Sequence, residues 1–215
     1  MTQPTVYLAS QSPRREELLN QIGIQPSIIK QDITEDVLIS ETAENYVLRL
    51  AMAKAEAAQK QLDKSYSNTD KNSLSNWQST KKHATIDIIV AADTAVVCQG
   101  KILGKPGSVE EATTMLNLLS GKSHEVLTGL AVASSGILTA ISRNLVTFRN
   151  ITEQEIHRYL KTDEAYDKAG SYAVQGLAAI FITNIQGSYS GVMGLPLCET
   201  ADLLEQSGRT ILPAP

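Results

Sequence analysis

The sequence predicts an α/β protein with a central mixed sheet flanked by helices. Three observations carry this. Residues 86–92 (IDIIVAA) form a near-continuous apolar run, the pattern of a strand buried on both faces. Residues 43–62 repeat apolar side chains at helical spacing, with Tyr46, Val47, Leu50, Ala51 and Lys54 on one side. Residues 124–134 and 137–149 read as two long strands joined by the turn Ser134-Ser135-Gly136. Some strands alternate with helices and others pair as hairpins, so the sheet is mixed.

In chain order, residues 5–9 (TVYLA) read as a short buried strand. A helix follows, with Ser12 as cap, Pro13 at its first position, Leu18, Leu19 and Ile22 on one face, and Gly23 as its stop. Residues 26–30 form a second short strand, and the long helix 43–62 comes next. Lys54 sits on its apolar side, where a lysine either snorkels outward or points at something negative. Residues 63–85 are polar and rich in Ser, Asn, Lys and Asp, and read as a long surface loop inserted between elements. The strand 86–92 leads into a hairpin through VVCQGKILGKP. Residues 108–120 are a helix capped by Ser108, with Glu111 as capping-box partner and Gly121 as stop. After the strand pair, 152–161 is a helix capped by Thr152 with Glu155 three residues on. Residues 178–185 are a strand and 196–207 a final helix.

The totals bound the function. A chain of 215 residues suits one domain of two lobes. A net charge of −4 argues against a nucleic-acid partner, which selects a basic face, but allows a local basic pocket for a small anion. Cys98 and Cys198 form no CxxC pair, and His83, His124 and His157 lack metal-ligand spacing, so both thiols read as reduced and no zinc site is expected. The N-terminal residues carry no signal-peptide pattern and no apolar stretch reaches the ~18 residues of a membrane span, so a cytoplasmic protein without a membrane partner is expected.

Four features place chemistry where structure alone does not ask for it. Ser10-Gln11-Ser12-Pro13-Arg14-Arg15 lies where a strand feeds a helix N-terminus. Two arginines in a first turn oppose the helix dipole by about 0.3–1 kcal/mol each, a penalty that a bound anion reverses; solvated arginines are the alternative. In Ala92-Asp93-Thr94 a carboxylate directly follows the most buried strand, where α/β sheets bind ligands; a turn or cap aspartate is the alternative. Lys105, between Gly104 and Pro106, could neutralise a phosphate or stand solvated in a loop. The glycine-rich stretch from Asp167 to Gly176 contains Lys168 and Gln175, an amide that suits the edge of a base. Tight-turn chemistry explains the same glycines. Together these features offer cations, a carboxylate and an amide reader, the inventory of a site for a metal-bound nucleotide.

The segments SQSPRREELL, RLAMAKA, VAADTAVV, GKILGKP, MLNLLSGKSHEVLTGLA, VTFRNITEQEIHRYL, DKAGSYAVQG and GSYSGVMGLPLCETADLL follow one another along nearly the whole chain. In this order they resemble the Maf family, from which the 63–85 segment departs by its length. The resemblance implies an elongated α/β fold with a cleft between two lobes, and often a homodimer. It implies a divalent-metal-dependent pyrophosphatase (Mg2+ or Mn2+) that cuts a nucleoside triphosphate to the monophosphate and pyrophosphate, with Asp93 as proton acceptor. One branch of the family acts on dTTP and UTP and carries Arg after Ser-Pro, Thr after the motif Asp and Gln before Gly. Arg14, Thr94, Gln175 and Lys168 match that branch rather than the one acting on 7-methyl-GTP.

On this reading the charge of the triphosphate is met by Arg14, Arg15, Lys54 and Lys105, with Ser10 and Lys168 as further substrate-binding or specificity residues. Glu35 and Asp93 hold the metal, Asp93 activates the attacking water, and Thr94 and Gln175 select the base. Two alternatives stand beside it: the same chemistry on 7-methyl-GTP or another non-standard nucleotide, and a nucleotide-binding regulator of cell division and septum formation with little turnover.

Overall fold

The longest buried stretch of the sequence makes the spine of the molecule. The structure, a computed structural model, describes residues 3–69 and 87–212. Its elements run β1 (Val6–Leu8), α1 (Pro13–Gln21), β2 (Ser27–Ile28), α2 (Ala43–Thr69), β3 (Ile88–Cys98), β4 (Lys101–Leu103), α3 (Val109–Leu119), β5 (Ser123–Ala133), β6 (Ile137–Phe148), α4 (Glu153–Leu160), β7 (Ile182–Gln186), α5 (Tyr189–Met193) and α6 (Leu197–Gln206). Short 3-10 turns cover Ala169–Ser171 and Leu177–Phe181. The described strands form one mixed sheet in the order β2-β1-β3-β5-β6-β7, with β4 also on β3. β1 pairs parallel with β2 and β3, and the remaining pairs are antiparallel.

Alternation along β3 sends its side chains to different cores. Ile88, Val90 and Ala92 pack with Leu18 and Leu19 of α1 and with Leu203 and Leu204 of α6. On the same face Val96 and Cys98 join a second core built on α3 and α4. Ile89 and Ala91 face the other way, against Ala51, Ala55 and Ala58 of α2. Small residues bring α2 close to the sheet. Gly129 of β5 completes that approach: a Cβ there would lie 2.5 Å from the Val47 carbonyl oxygen of α2.

β5 covers one edge of β3 from Ile89 to Val97. The other edge is shared. β1 takes Ile88–Val90 and β4 takes Val96–Cys98. Among the described residues no strand pairs with that edge over residues 91–95. Asp93 therefore lies inside an eleven-residue strand rather than beyond the end of one, which corrects the expected strand 86–92. The run past Asp93 stays extended because each residue keeps an antiparallel partner, Asp93 opposite Gly129 and Thr94 opposite Thr128.

Other boundaries also move. α2 continues to Thr69, so 63–69, expected as the start of a polar loop, is helical. The Ser65 hydroxyl donates to the Leu62 carbonyl and Ser67 to Lys64, and Tyr66 Oη donates to Asp87 Oδ2 at 2.6 Å. The helix accommodates these polar residues instead of ending at them. Residues 70–85 of that expected loop lie outside the described residues. The expected strand 178–185 is a 3-10 turn followed by β7, and α5 is an element the sequence does not announce. Ser12 stands at the N-cap of α1 without a side-chain capping bond. Glu111 turns to the Gly107 N–H rather than back to Ser108, whereas Thr152 and Glu155 make the full reciprocal box. Both cysteines are free, Cys98 buried and Cys198 exposed. Among the described residues no helix is long and apolar enough to cross a membrane.

Candidate active site

The unpaired stretch of β3 opens a cleft of about 430 Å³. Its walls come from the segment after β1 and the start of α1, from the inner face of α2, from Gly104 and Lys105 after β4, and from residues 167–175. Gly170 ties the last wall to the third. Its N–H donates to the Gly104 carbonyl, and with φ +68 and Val96 Cγ1 2.9 Å from any Cβ, only glycine fits.

At the centre lies Lys54, 8% exposed. Its Nζ donates to Asp93 Oδ1 at 2.6 Å and to Glu35 Oε1 at 2.7 Å. The lysine on the apolar stripe of α2 thus points inward at charge rather than snorkelling. Lys105 Nζ lies 3.8 Å from Glu35 Oε2. Burial pushes the Asp93 carboxyl above the ordinary aspartate range, against the opposing pull of Lys54 and Arg15. Glu35 is also pushed up by burial, but its bond to Lys54 and the charges of Lys54, Lys105 and Arg15 prevail and hold it low. The two carboxylates therefore differ in character. Burial prevails at Asp93, and the neighbouring cations prevail at Glu35.

Glu35 sits in the irregular segment before α2, and its placement depends on that helix. Tyr46 Oη donates to the Glu35 carbonyl at 2.9 Å. Arg49 grips Glu41 with two bonds of 2.6 and 2.7 Å and also donates to the Asp36 carbonyl. Sequence reading misses both supports, because a tyrosine and an arginine on an amphipathic helix carry no sign of a partner in the preceding loop.

Arg15 enters from the first turn of α1. It donates Nε to the Gly194 carbonyl at 2.7 Å, Nη1 to Ser10 Oγ at 3.1 Å and Nη2 to Thr94 Oγ1 at 3.3 Å. All three acceptors are neutral. Burial lowers its pKa, which nearby Asp93 and Glu35 counter. Arg14 reaches across the cleft to Asp167, 3.9 Å away, and Lys168 pairs with the same carboxylate. Gln175 is exposed at the rim, on a segment held by Glu164, which accepts from the N–H groups of Leu177 and Ala178 and from Tyr159 Oη.

The cleft gathers Ser10, Arg14, Arg15, Glu35, Lys54, Asp93, Thr94, Lys105, Lys168 and Gln175, every residue the sequence singles out for chemistry. It also contains the unanticipated Tyr46 and Gln31, while Thr128 stands buried directly behind Thr94. Among the described residues no group of three or more His, Cys, Asp or Glu gathers as a metal cage. Asp93 and Glu35, two hard oxygen donors converging on one ammonium, suit a cation such as Mg2+ that completes its shell with water and phosphate oxygens.

Comparison with known proteins gives a consistent picture. The family described as Maf-like protein matches residues 5–207. A protein of Nitrosospira multiformis named dTTP/UTP pyrophosphatase is 47% identical over 215 residues, covering 96% of each chain. Proteins of the same name are 46% identical in Methylobacillus flagellatus, covering 96% of this chain and 94% of that one, and 42% identical in Geotalea uraniireducens, covering 94% and 95%. The extent of these matches leaves no segment of the described fold outside them beyond a few terminal residues, and the chain belongs to the Maf-like protein family.

Proposed function

We propose that the protein hydrolyses dTTP and UTP to the nucleoside monophosphate and pyrophosphate, as the names of its relatives state for them. The observation that carries this is the Asp93–Lys54–Glu35 triad in a cleft that also gathers Arg14, Arg15, Lys105 and Lys168, two of which share Asp167. A lone buried carboxylate opposite Arg14, Arg15, Lys105 and Lys168 matches a polyphosphate with one water to activate. The cytoplasm, where nucleoside triphosphates are held, is the compartment this reaction implies.

Arg15 and Ser10 bind phosphate oxygens from the α1 side, while Lys105 and Lys168 neutralise charge from the opposite wall. Lys54 holds Asp93 Oδ1 and leaves Oδ2 to take the proton from water. That water oxygen bonds to the α-phosphorus as the bond to the bridging oxygen breaks, and pyrophosphate leaves. A divalent cation held by Glu35 and Asp93 supplies further charge neutralisation when bound. Gln175, with both a donor and an acceptor, faces the mixed edge of a pyrimidine. Most of the rate enhancement comes from positioning and charge, as in other phosphoryl transfers.

The test is pyrophosphate release from a panel of natural and modified triphosphates, with Mg2+, with Mn2+ and with chelator. Turnover should be highest on dTTP and UTP and disappear with chelator. Asp93→Asn should lower kcat by about 10²–10⁴-fold, the usual contribution of a general base, while the variant still folds at the assay temperature. Release from none of the panel, or an Asp93→Asn variant that turns over normally, overturns the assignment.

A further inference from the structure

The hydroxyl of Thr94 is occupied on the side of the strand away from Asp93, and its partners have only one consistent arrangement of protons. Thr128 Oγ1, fully buried on β5, donates its single hydrogen to the Gly191 carbonyl at 2.8 Å. Thr94 Oγ1 lies 2.9 Å from Thr128 Oγ1, so the hydrogen between them must come from Thr94. Thr94 can then only accept on its remaining side, where Arg15 Nη2 stands at 3.3 Å. The chain Arg15→Thr94→Thr128→Gly191 is therefore directional.

Arg15 has five N–H groups, of which Nε, one on Nη1 and one on Nη2 are committed to Gly194, Ser10 and Thr94. One N–H on each terminal nitrogen is left, on a guanidinium that lines the cleft and, among the described residues, pairs with no carboxylate. Gly194, at φ +114, is a backbone position that suits glycine, and any Cβ there would meet Thr94 Oγ1 at 3.3 Å.

The geometry points to Thr128 as a positioning residue that, through Thr94, fixes the Arg15 guanidinium in the plane from which its two remaining N–H groups grip a phosphate of the substrate. Thr94 on this view acts through Arg15 rather than by touching the base. The inference rests on the reading of the cleft as a triphosphate site. Without the Thr128 acceptor, the Thr94 hydroxyl is free to rotate and offer its own hydrogen toward Arg15, where it repels an N–H donor.

The experiment compares Thr128→Val, Thr128→Ser and Thr94→Val, each alone and with Arg15→Lys. The readouts are kcat and KM on dTTP and calorimetric binding of pyrophosphate with Mg2+. Thr128→Val should weaken pyrophosphate binding and raise KM on the order of 10-fold, within the range of coupled neighbours, and change kcat less. Thr128→Ser should restore both, and the Thr128→Val penalty should vanish in the Arg15→Lys background. Should Thr128→Val fail to fold, Thr94→Val carries the same expectation. Wild-type binding in the Val variants, or an undiminished penalty with Arg15→Lys, overturns the relay. A wild-type protein that binds pyrophosphate through this coupled set yet hydrolyses no triphosphate would overturn the activity and leave the relay standing.

Discussion

Lys54 and Asp93 bury opposite charges against each other, and each makes the other tolerable. Removing one member of such a pair leaves an uncompensated charge, at a cost of about 3–5 kcal/mol. Lys54→Met should therefore lower unfolding stability by about that amount at neutral pH, measured by denaturant titration. Adding Asp93→Asn should recover much of it without restoring turnover. The pH behaviour has a definite sign. Burial raises the Asp93 carboxyl, so the folded state resists its ionisation. That opposition to folding is full above the folded pKa, fades as pH falls through it and is gone below the unfolded value. A base must be unprotonated to act, so the acid limb of kcat/KM lies above the ordinary aspartate value. In Lys54→Met, with the opposing ammonium gone, the limb should move to higher pH; a move to lower pH contradicts the base assignment. His124 supplies the converse case. It is buried, its Nε2 lies 2.8 Å from Tyr172 Oη, and burial pushes it down to about 4 from 6.5. Its contribution to stability is present above pH 6.5 and is lost as pH falls through about 4, roughly 3 kcal/mol in all. A His124→Gln variant should lose correspondingly less between those pH values in denaturant titrations.

Among the elements, α2 and β3 together set the site, and their separation is governed by Gly129. A Gly129→Ala side chain would meet the backbone of Val47 and Leu48 at 2.5 to 2.8 Å, and a helix backbone yields only by moving. That substitution should cost about 1–3 kcal/mol of stability, typical of overpacking, and should slow turnover because Lys54 moves with α2. Unchanged melting and kcat would mean the helix is not held at this distance. The same pair of elements marks where the sequence is legible. The apolar half of β3 and the stripe of α2 read directly, since each buries residues at its own period. The continuation of β3 through Asp93 does not, because a carboxylate in a central strand reads as its end unless Lys54, 39 residues away, is known to face it. Likewise the cations at 14, 15 and 105 can be named in advance as anion ligands, but the Thr128 relay and the Arg49 clamp depend on contacts that no local pattern records.

For the whole molecule, the cleft lies between the start of α1, a helix packed in one core with α6, and residues 103–105 and 167–175, whose Leu103, Tyr172 and Val174 belong to the core of α3 and α4. A ligand gripping both walls stabilises both at once. At a pyrophosphate concentration about 100 times its Kd, binding contributes about 2.7 kcal/mol, which for a chain of this size is roughly 5–10 °C in the melting temperature. The transition should remain single and shift as a unit. Arg15→Met should abolish the shift, and Asp93→Asn should retain it; two separated transitions would show that the ligand engages one wall alone.

The gap in the sheet has a metric consequence. Because β1 and β4 dock on one edge of the same strand, the opening between them is measured in residues of β3, five from 91 to 95, at about 3.3 Å of rise each. β3 is thus a ruler as well as a support. Deleting one residue of that span would narrow the aperture by one graduation and exchange the faces on which Asp93 and Thr94 emerge, so width and handedness of the site cannot drift separately.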